Sequence, residues 1–316
     1  MPFDSKNSKE IQAEINMKEN NSIKVLLCLL ALLSFAAPGF AQRGRKPIIF
    51  AVLNDGKTFE PIAFVENGNL IAAVGGDGEP QDIALFHKTY YKPKAAYRLI
   101  FGGANAGTAT VVSSDANAEC SRNLAQVSVS STKTKLAGFV MALATDAAMK
   151  KAGSGVRRKP TPAERAEIEA LVRGELARQK VSANARKNLR SQNLTALDIN
   201  NDKKADFVGS YWVETSKTER ALLFFIAEKN AKGKYEFGFM EFRRIKQEDV
   251  MSKEIKSVDE GVYHEVLLDV LDYDGDGTSE IFTYVPSFEG AGFNAYKREN
   301  GSWKKSFEGS NYHCGY

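Results

Sequence analysis

From Ile48 onward the chain alternates short apolar runs with turn residues. The run 48–53 is followed by Asn54-Asp55-Gly56, the run 60–65 by Glu66-Asn67-Gly68, and the run 69–74 by Gly75-Gly76-Asp77-Gly78. Asp-Gly and Asn-Gly between β-rich runs are strong hairpin signals. The pattern therefore predicts a three-stranded meander ending in a flexible glycine-rich loop. Further strands are expected over 96–101, 107–113, 124–130 and 137–144. The glycines at 102, 103 and 107 lack the spacing of a P-loop or dinucleotide fingerprint, and a strand follows them, so a turn is expected there.

One segment has helical spacing. Thr161 stands as an N-cap, Pro162 at the first helical position and Glu164 where a capping box needs it, and Ile168, Leu171, Val172 and Leu176 form the apolar stripe. A helix over 161–180 is expected to lay this stripe on a sheet. The preceding stretch, with Arg157-Arg158-Lys159, reads as a solvated linker.

The longest apolar run lies near the N-terminus. Lys18 and Lys24 flank the start of a run within 23–40 that ends at Gly39-Phe40-Ala41. That order is the one of a secretory signal peptide over 1–41, with cleavage leaving Gln42 first and with Met17 as an alternative start. An uncleaved anchor is the other reading, although the run is short against the ~20 residues a spanning helix needs. Leu27 before Cys28 argues against a lipoprotein site. An exported destination, secreted or periplasmic, with no membrane span after cleavage, is expected.

Export changes how the cysteines read. Cys120 and Cys314 are an even pair outside the signal segment, which suggests a disulfide; two buried thiols are the alternative. The net charge of +4 is spread over both signs, so a nucleic-acid partner is not expected.

The chemistry concentrates near the C-terminus, where the sequence repeats. Ala196-Leu197-Asp198-Ile199-Asn200-Asn201-Asp202 aligns with Val270-Leu271-Asp272-Tyr273-Asp274-Gly275-Asp276, and each unit continues as strand and hairpin. Calcium takes six to eight oxygens at ~2.3–2.6 Å, and oxygen side chains at loop positions 1, 3 and 5 converge when the backbone curls around an ion. In the second loop the candidate ligands are Asp272, Asp274, Asp276, the carbonyl of Thr278 and Glu280, with Gly277 at the sharp turn. In the first they are Asp198, Asn200, Asp202, the carbonyl of Lys204 and Asp206, with Lys203 replacing the turn glycine. Asx-rich turns that hold no metal are the alternative. Gly209 and Thr283 stand where an EF-hand has its bidentate glutamate, so neither loop is an EF-hand.

Strand–loop–strand units carrying these acidic motifs resemble the FG-GAP and VCBS-type calcium repeats of exported and integrin-like proteins, over roughly residues 194–307. The resemblance implies blade-like antiparallel β units with Ca2+ held in a loop between adjacent strands. Two units are fewer than a full propeller needs. The expected organisation is a signal peptide (1–41), an N-terminal β domain (42–150), a linker and helix (151–192) and a pair of calcium-loop repeats (193–316), mainly β overall.

Catalytic signals are sparse. His264-Glu265 begins like a zinc-protease motif, but Leu268 stands where the second histidine belongs. His313 beside Cys314 does not read as a nucleophile pair. Aromatics at Tyr211-Trp212, Phe224-Phe225 and within 237–242 read as sheet core. The expected function is thus a monomeric, exported calcium-binding protein with a structural role or a binding role toward a protein or glycan, without assigned catalytic residues. The alternative is an exported hydrolase at the junction of the N- and C-terminal β regions.

Overall fold

β1 (Ile48–Leu53) is buried along its whole length because both its faces are covered. Ile48, Phe50 and Val52 point into one core, and Ile49, Ala51 and Leu53 into another, as the two-residue period of a strand requires. The computed structural model describes residues 45–149, 153–250, 252 and 255–314. The expected signal peptide and its junction at Ala41 and Gln42 lie outside the described residues. The fold is mainly β, with antiparallel pairing throughout the sheets, and Lys46–Tyr316 forms one compact unit.

β1, β2 (Thr58–Glu66) and β3 (Asn69–Ala72) pair as the expected meander. The meander belongs to a larger closed structure. β4 (Ala96–Phe101), β5 (Ala104–Ser114), β6 (Ala125–Ser130) and β7 (Ala142–Thr145) continue the sheet, and β1–β7 and β2–β6 pairings close six strands into a barrel. β7 is shorter than expected, because 137–140 folds back on itself through an isolated Ala137–Val140 bridge. The barrel interior holds Phe50, Phe59, Tyr97, Leu99 and Val127.

A helix that the apolar pattern did not suggest, α1 (Pro80–Tyr90), adds Phe86 and Tyr90 to that interior. It follows the glycine-rich loop directly. Its apolar positions Ile83, Phe86 and Tyr90 do have helical spacing, but too few turns separate them to stand out. The Gly102-Gly103 turn joins β4 and β5 with both residues at positive φ, the type I′ pattern of a tight hairpin.

Two further sheets stack on the barrel. β13 (Val266–Leu271), β14 (Glu280–Pro286), β15 (Gly290–Glu299) and β16 (Ser302–Tyr312) form a meander whose Val266, Leu268, Phe282 and Phe293 meet Ile49, Ile62 and Leu143 of the barrel exterior. Its other face packs Leu267, Val270, Ile281 and Tyr296 against Leu197, Val208, Phe224 and Ile226 of the second meander. That one comprises β9 (Arg190–Leu197), β10 (Asp206–Ser216), β11 (Glu219–Lys229) and β12 (Tyr235–Lys246), with the short β8 (Arg157–Arg158) on its edge.

The outermost layer is helical. α2 (Pro162–Arg178) starts with the expected capping box, Thr161 accepting from the N–H of Glu164 and Glu164 from the N–H of Thr161. Its Ile168, Val172 and Leu176 cover Phe207, Tyr211 and Phe225, joined by Ala185 of α3 (Ala183–Lys187).

The linker before α2 is not a solvated one. The Arg157 guanidinium is buried and reaches Asp269 Oδ2 at 2.9 Å, the carbonyl of Leu268 at 2.6 Å and that of Met141 at 2.8 Å. Asp269 in turn accepts from the N–H of Gly102 at 2.9 Å. A single ion pair thus joins barrel, linker and the third sheet. Arg158 keeps the expected exposed character and pairs with Glu164.

Cys120 and Cys314 form a disulfide across 194 residues, with Cα atoms 5.3 Å apart. Among the described residues no helix is long and apolar enough to cross a membrane. Removing a native disulfide costs typically 2–5 kcal/mol. Cys120→Ser/Cys314→Ser is expected to lower unfolding stability by about that much in urea titrations, and added reductant should leave the variant unchanged.

Candidate metal centre

Each acidic loop joins the first two strands of a four-stranded meander, and each is closed by the same strand pair. Leu197 opposes Asp206 at one loop and Leu271 opposes Glu280 at the other. Between those pairs the backbones follow one scheme. Asn201 and Lys203 have positive φ in the first loop, as Gly275 and Gly277 do in the second. Lys203 thus occupies a left-handed conformation that suits glycine far better.

The hydrogen bonds match position by position. The N–H of Lys203 donates to Asp198 Oδ2 at 3.3 Å, and that of Gly277 to Asp272 Oδ2 at 3.0 Å. Asp202 N–H reaches Asn200 at 3.1 Å, as Asp276 N–H reaches Asp274 at 3.1 Å. Lys204 N–H donates to Asp202 at 2.8 Å, and Thr278 N–H to Asp276 at 2.8 Å. Asp206 accepts from the N–H of Ile199 at 3.0 Å, and Glu280 from that of Tyr273 at 3.3 Å. Each side chain spends an oxygen on the turn and keeps other lone pairs for the loop centre.

In the second loop Asp272, Asp274 and Asp276 bring ligand atoms within 4.8 Å of one another. Among the described residues no other group of three His, Cys, Asp or Glu is so close, so the first loop has no such trio. The first loop has a different sign of fit. Asp198 is only 6% exposed, and its Oδ1 is buried without a partner, whereas the equivalent Asp272 Oδ1 takes the N–H of Gly275 at 2.6 Å. A buried carboxylate oxygen without a donor is costly, and a cation removes that cost. The donor set at both loops is hard oxygen, which suits calcium rather than a thiolate- or imidazole-seeking metal.

The charges crowd one another. Burial raises the Asp272 carboxyl above its usual range, and Asp274 and Asp276 add to the shift. Burial pushes Glu280 up to about 8, reinforced by Asp274, and pushes Asp206 up to about 7, reinforced by Glu228, Asp202 and Asp198. Cations of the chain already answer part of this crowding, Lys204 standing 3.5 Å from Asp202 at the first loop. Lys297 from β15 donates to Asp274 Oδ2 and stands 3.9 Å from Asp276. Reading the loop alone does not reveal Lys297, because it arrives from a hairpin two strands later.

The three histidines have separate surroundings. His264 lies beside Trp212, its ring centroid 5.7 Å away, and burial, with Arg243 as the lesser cause, lowers it to about 4. His87 bonds Ser114 at 2.9 Å and the carbonyl of Arg122 at 2.6 Å. His313 is different, because its Nε2 lies 2.7 Å from Oε1 of Glu60, itself 1% exposed. Asn311 donates to the same oxygen at 2.7 Å, so the C-terminal strand is clasped to the barrel next to the disulfide.

The hydrogen bond to Glu60 raises His313 above its usual value. Its stabilisation is therefore complete below the unfolded-state value near 6.5 and is lost as pH rises through the raised one. The melting-temperature gap between wild type and His313→Ala is expected to be large at mildly acidic pH and to shrink in alkali. A gap independent of pH would contradict the clasp.

Compared with known proteins, the chain matches no family model, and no curated protein or solved structure is significantly similar to it.

Proposed function

We propose that this chain is an exported calcium-binding protein, secreted or periplasmic, whose two acidic loops hold Ca2+ to stabilise paired β repeats of the FG-GAP/VCBS type. The observation that carries the reading is the shared hydrogen-bond scheme of the two loops, with the Asp272, Asp274 and Asp276 ligand atoms gathered within 4.8 Å in one of them. The four-stranded meanders that contain the loops agree with blade-like units, and the disulfide agrees with an oxidising compartment.

Bound calcium supplies positive charge and a fixed coordination shell. The chain's own residues do the rest. Asp198 and Asp272 anchor the loop start, Asn200 and Asp274 turn the backbone, and Asp202 and Asp276 hold the N–H of position 7. Asp206 and Glu280 tie the loop end to position 2. With the turns fixed, the strand pairs Leu197–Asp206 and Leu271–Glu280 keep register, and the stacked sheets present a stable surface to a protein or glycan ligand. Pull-down from the native surroundings in calcium and in chelator tests the role: partners should be retained only with calcium. Identical recovery in both would leave the loops without a part in binding.

The hydrolase alternative keeps one observation in its favour. Glu60 and His313 line a cleft of about 660 Å³ between the barrel and the C-terminal strand. A carboxylate–imidazole pair in a cleft is the kind of arrangement that general acid–base chemistry uses. Hydrolysis of aryl ester or aryl glycoside probes that vanishes in Glu60→Gln supports it; equal rates in wild type and variant remove it.

A further inference from the structure

Glu265 is another buried carboxylate outside the acidic loops. It immediately precedes β13, is 5% exposed, and lines a groove of about 520 Å³ whose walls come from β12, β14, β15 and β16. That volume lies within the usual range for small-molecule sites, roughly 300–1,000 Å³. Three side chains donate to Oε1: the Thr283 hydroxyl, Asn294 Nδ2 at 2.8 Å and the Tyr296 hydroxyl at 2.8 Å. All three come from β14 and β15, so the sheet holds the carboxylate in one orientation.

Among the described residues no hydrogen bond reaches Oε2, which is not among the sealed-off polar atoms, and Glu265 lines the groove. The charges at the rim are already matched to one another. Arg243 stands 3.6 Å from Glu241, and Lys305 stands 3.8 Å from Glu241 and 3.4 Å from Glu308. None of the described Lys, Arg or His side chains forms an ion pair with Glu265. The groove therefore has a fixed, nearly buried carboxylate on its floor and no counter-charge for it.

We propose that this groove binds a small organic cation whose primary ammonium donates to Glu265 Oε2. A hydroxyl would satisfy the lone pair but leave the charge unanswered, whereas an ammonium does both. Calcium is poorly served, since Oε1 is already saturated by three donors and one open carboxylate oxygen is far short of six ligands. A lysine side chain and an amino sugar both carry the required group, and binding here is independent of the two calcium loops.

The test titrates the calcium-saturated chain with Nα-acetyl-lysine amide and with glucosamine, using Nα-acetyl-norleucine amide and glucose as the neutral controls, observed by protein NMR. Saturable shifts at the groove with at least one amine, and none with its neutral control, are expected. The amine that saturates identifies the source. Glu265→Gln should weaken that amine at least tenfold. Gly292→Leu is the second variant: a Cβ at Gly292 meets nothing closer than Val285 at 3.6 Å, so the larger side chain fills the groove while Glu265 stays in place. It too should weaken that amine at least tenfold. The inference is overturned if neither amine saturates, if a neutral control binds as well as its amine, or if both variants retain wild-type affinity.

Discussion

Asp272→Asn is expected to abolish the share of the calcium-dependent rise in melting temperature that the second loop supplies, leaving that of the first. A ligand present at a hundred times its dissociation constant stabilises by about 2.7 kcal/mol, or roughly 4–5 °C for a chain of this size. Asp272 contributes most because both its oxygens organise the loop, taking the N–H groups of Gly275 and Gly277, while it stands among the gathered carboxylates. The amide keeps the size and an acceptor but loses the charge. Differential scanning fluorimetry in millimolar calcium and in chelator reads the effect. Glu248→Gln, on the exposed turn after β12, should keep the full calcium response.

The second large effect is expected at the Arg157–Asp269 pair. Both side chains are almost wholly buried, at 4% and 0% exposure, so removing one leaves the other without its counter-charge. Losses of about 3–5 kcal/mol accompany such single removals. Arg157→Met and Asp269→Asn should each fall in that range by urea unfolding. The double variant should be destabilised by clearly less than their sum, because it removes the stranded charge as well as the attraction. Additive losses would mean that the two side chains act separately. The pair matters to the site because Asp269 lies three residues before Asp272, and its partners fix the strand that leads into the loop.

What the sequence made legible was local. The Asn67-Gly68 turn and the capping box at Thr161 each depend on neighbours a few residues apart, and each is found as expected. Closure of the barrel depends on Thr58 meeting Gln126 and on Ile49 meeting Thr145, pairings that alternation cannot specify. Alternation reports which positions are buried, not which sheet covers them. Arg157 differs from the solvated expectation for a related reason, since a basic run looks solvated until the fold brings Asp269 to it. In the sequence Glu265 stands only in the incomplete zinc motif at His264. Its three donors lie 18 to 31 residues further on, and only the sheet gathers them.

The loop at Asp272 was thus readable as chemistry, whereas Lys297 and the unpartnered oxygen of Asp198 were not. Under the proposed function, those two features set what a bound cation would do: displace an ammonium at one loop and answer a stranded oxygen at the other. Calorimetric titration of calcium into the chelator-stripped chain tests this most directly. The account predicts saturable binding of two ions per chain, with dissociation constants no weaker than the ~10⁻³ M that extracellular sites reach, and loss of one ion in Asp272→Asn. Absence of saturable binding at millimolar calcium, or an isotherm unchanged by Asp272→Asn, would contradict it.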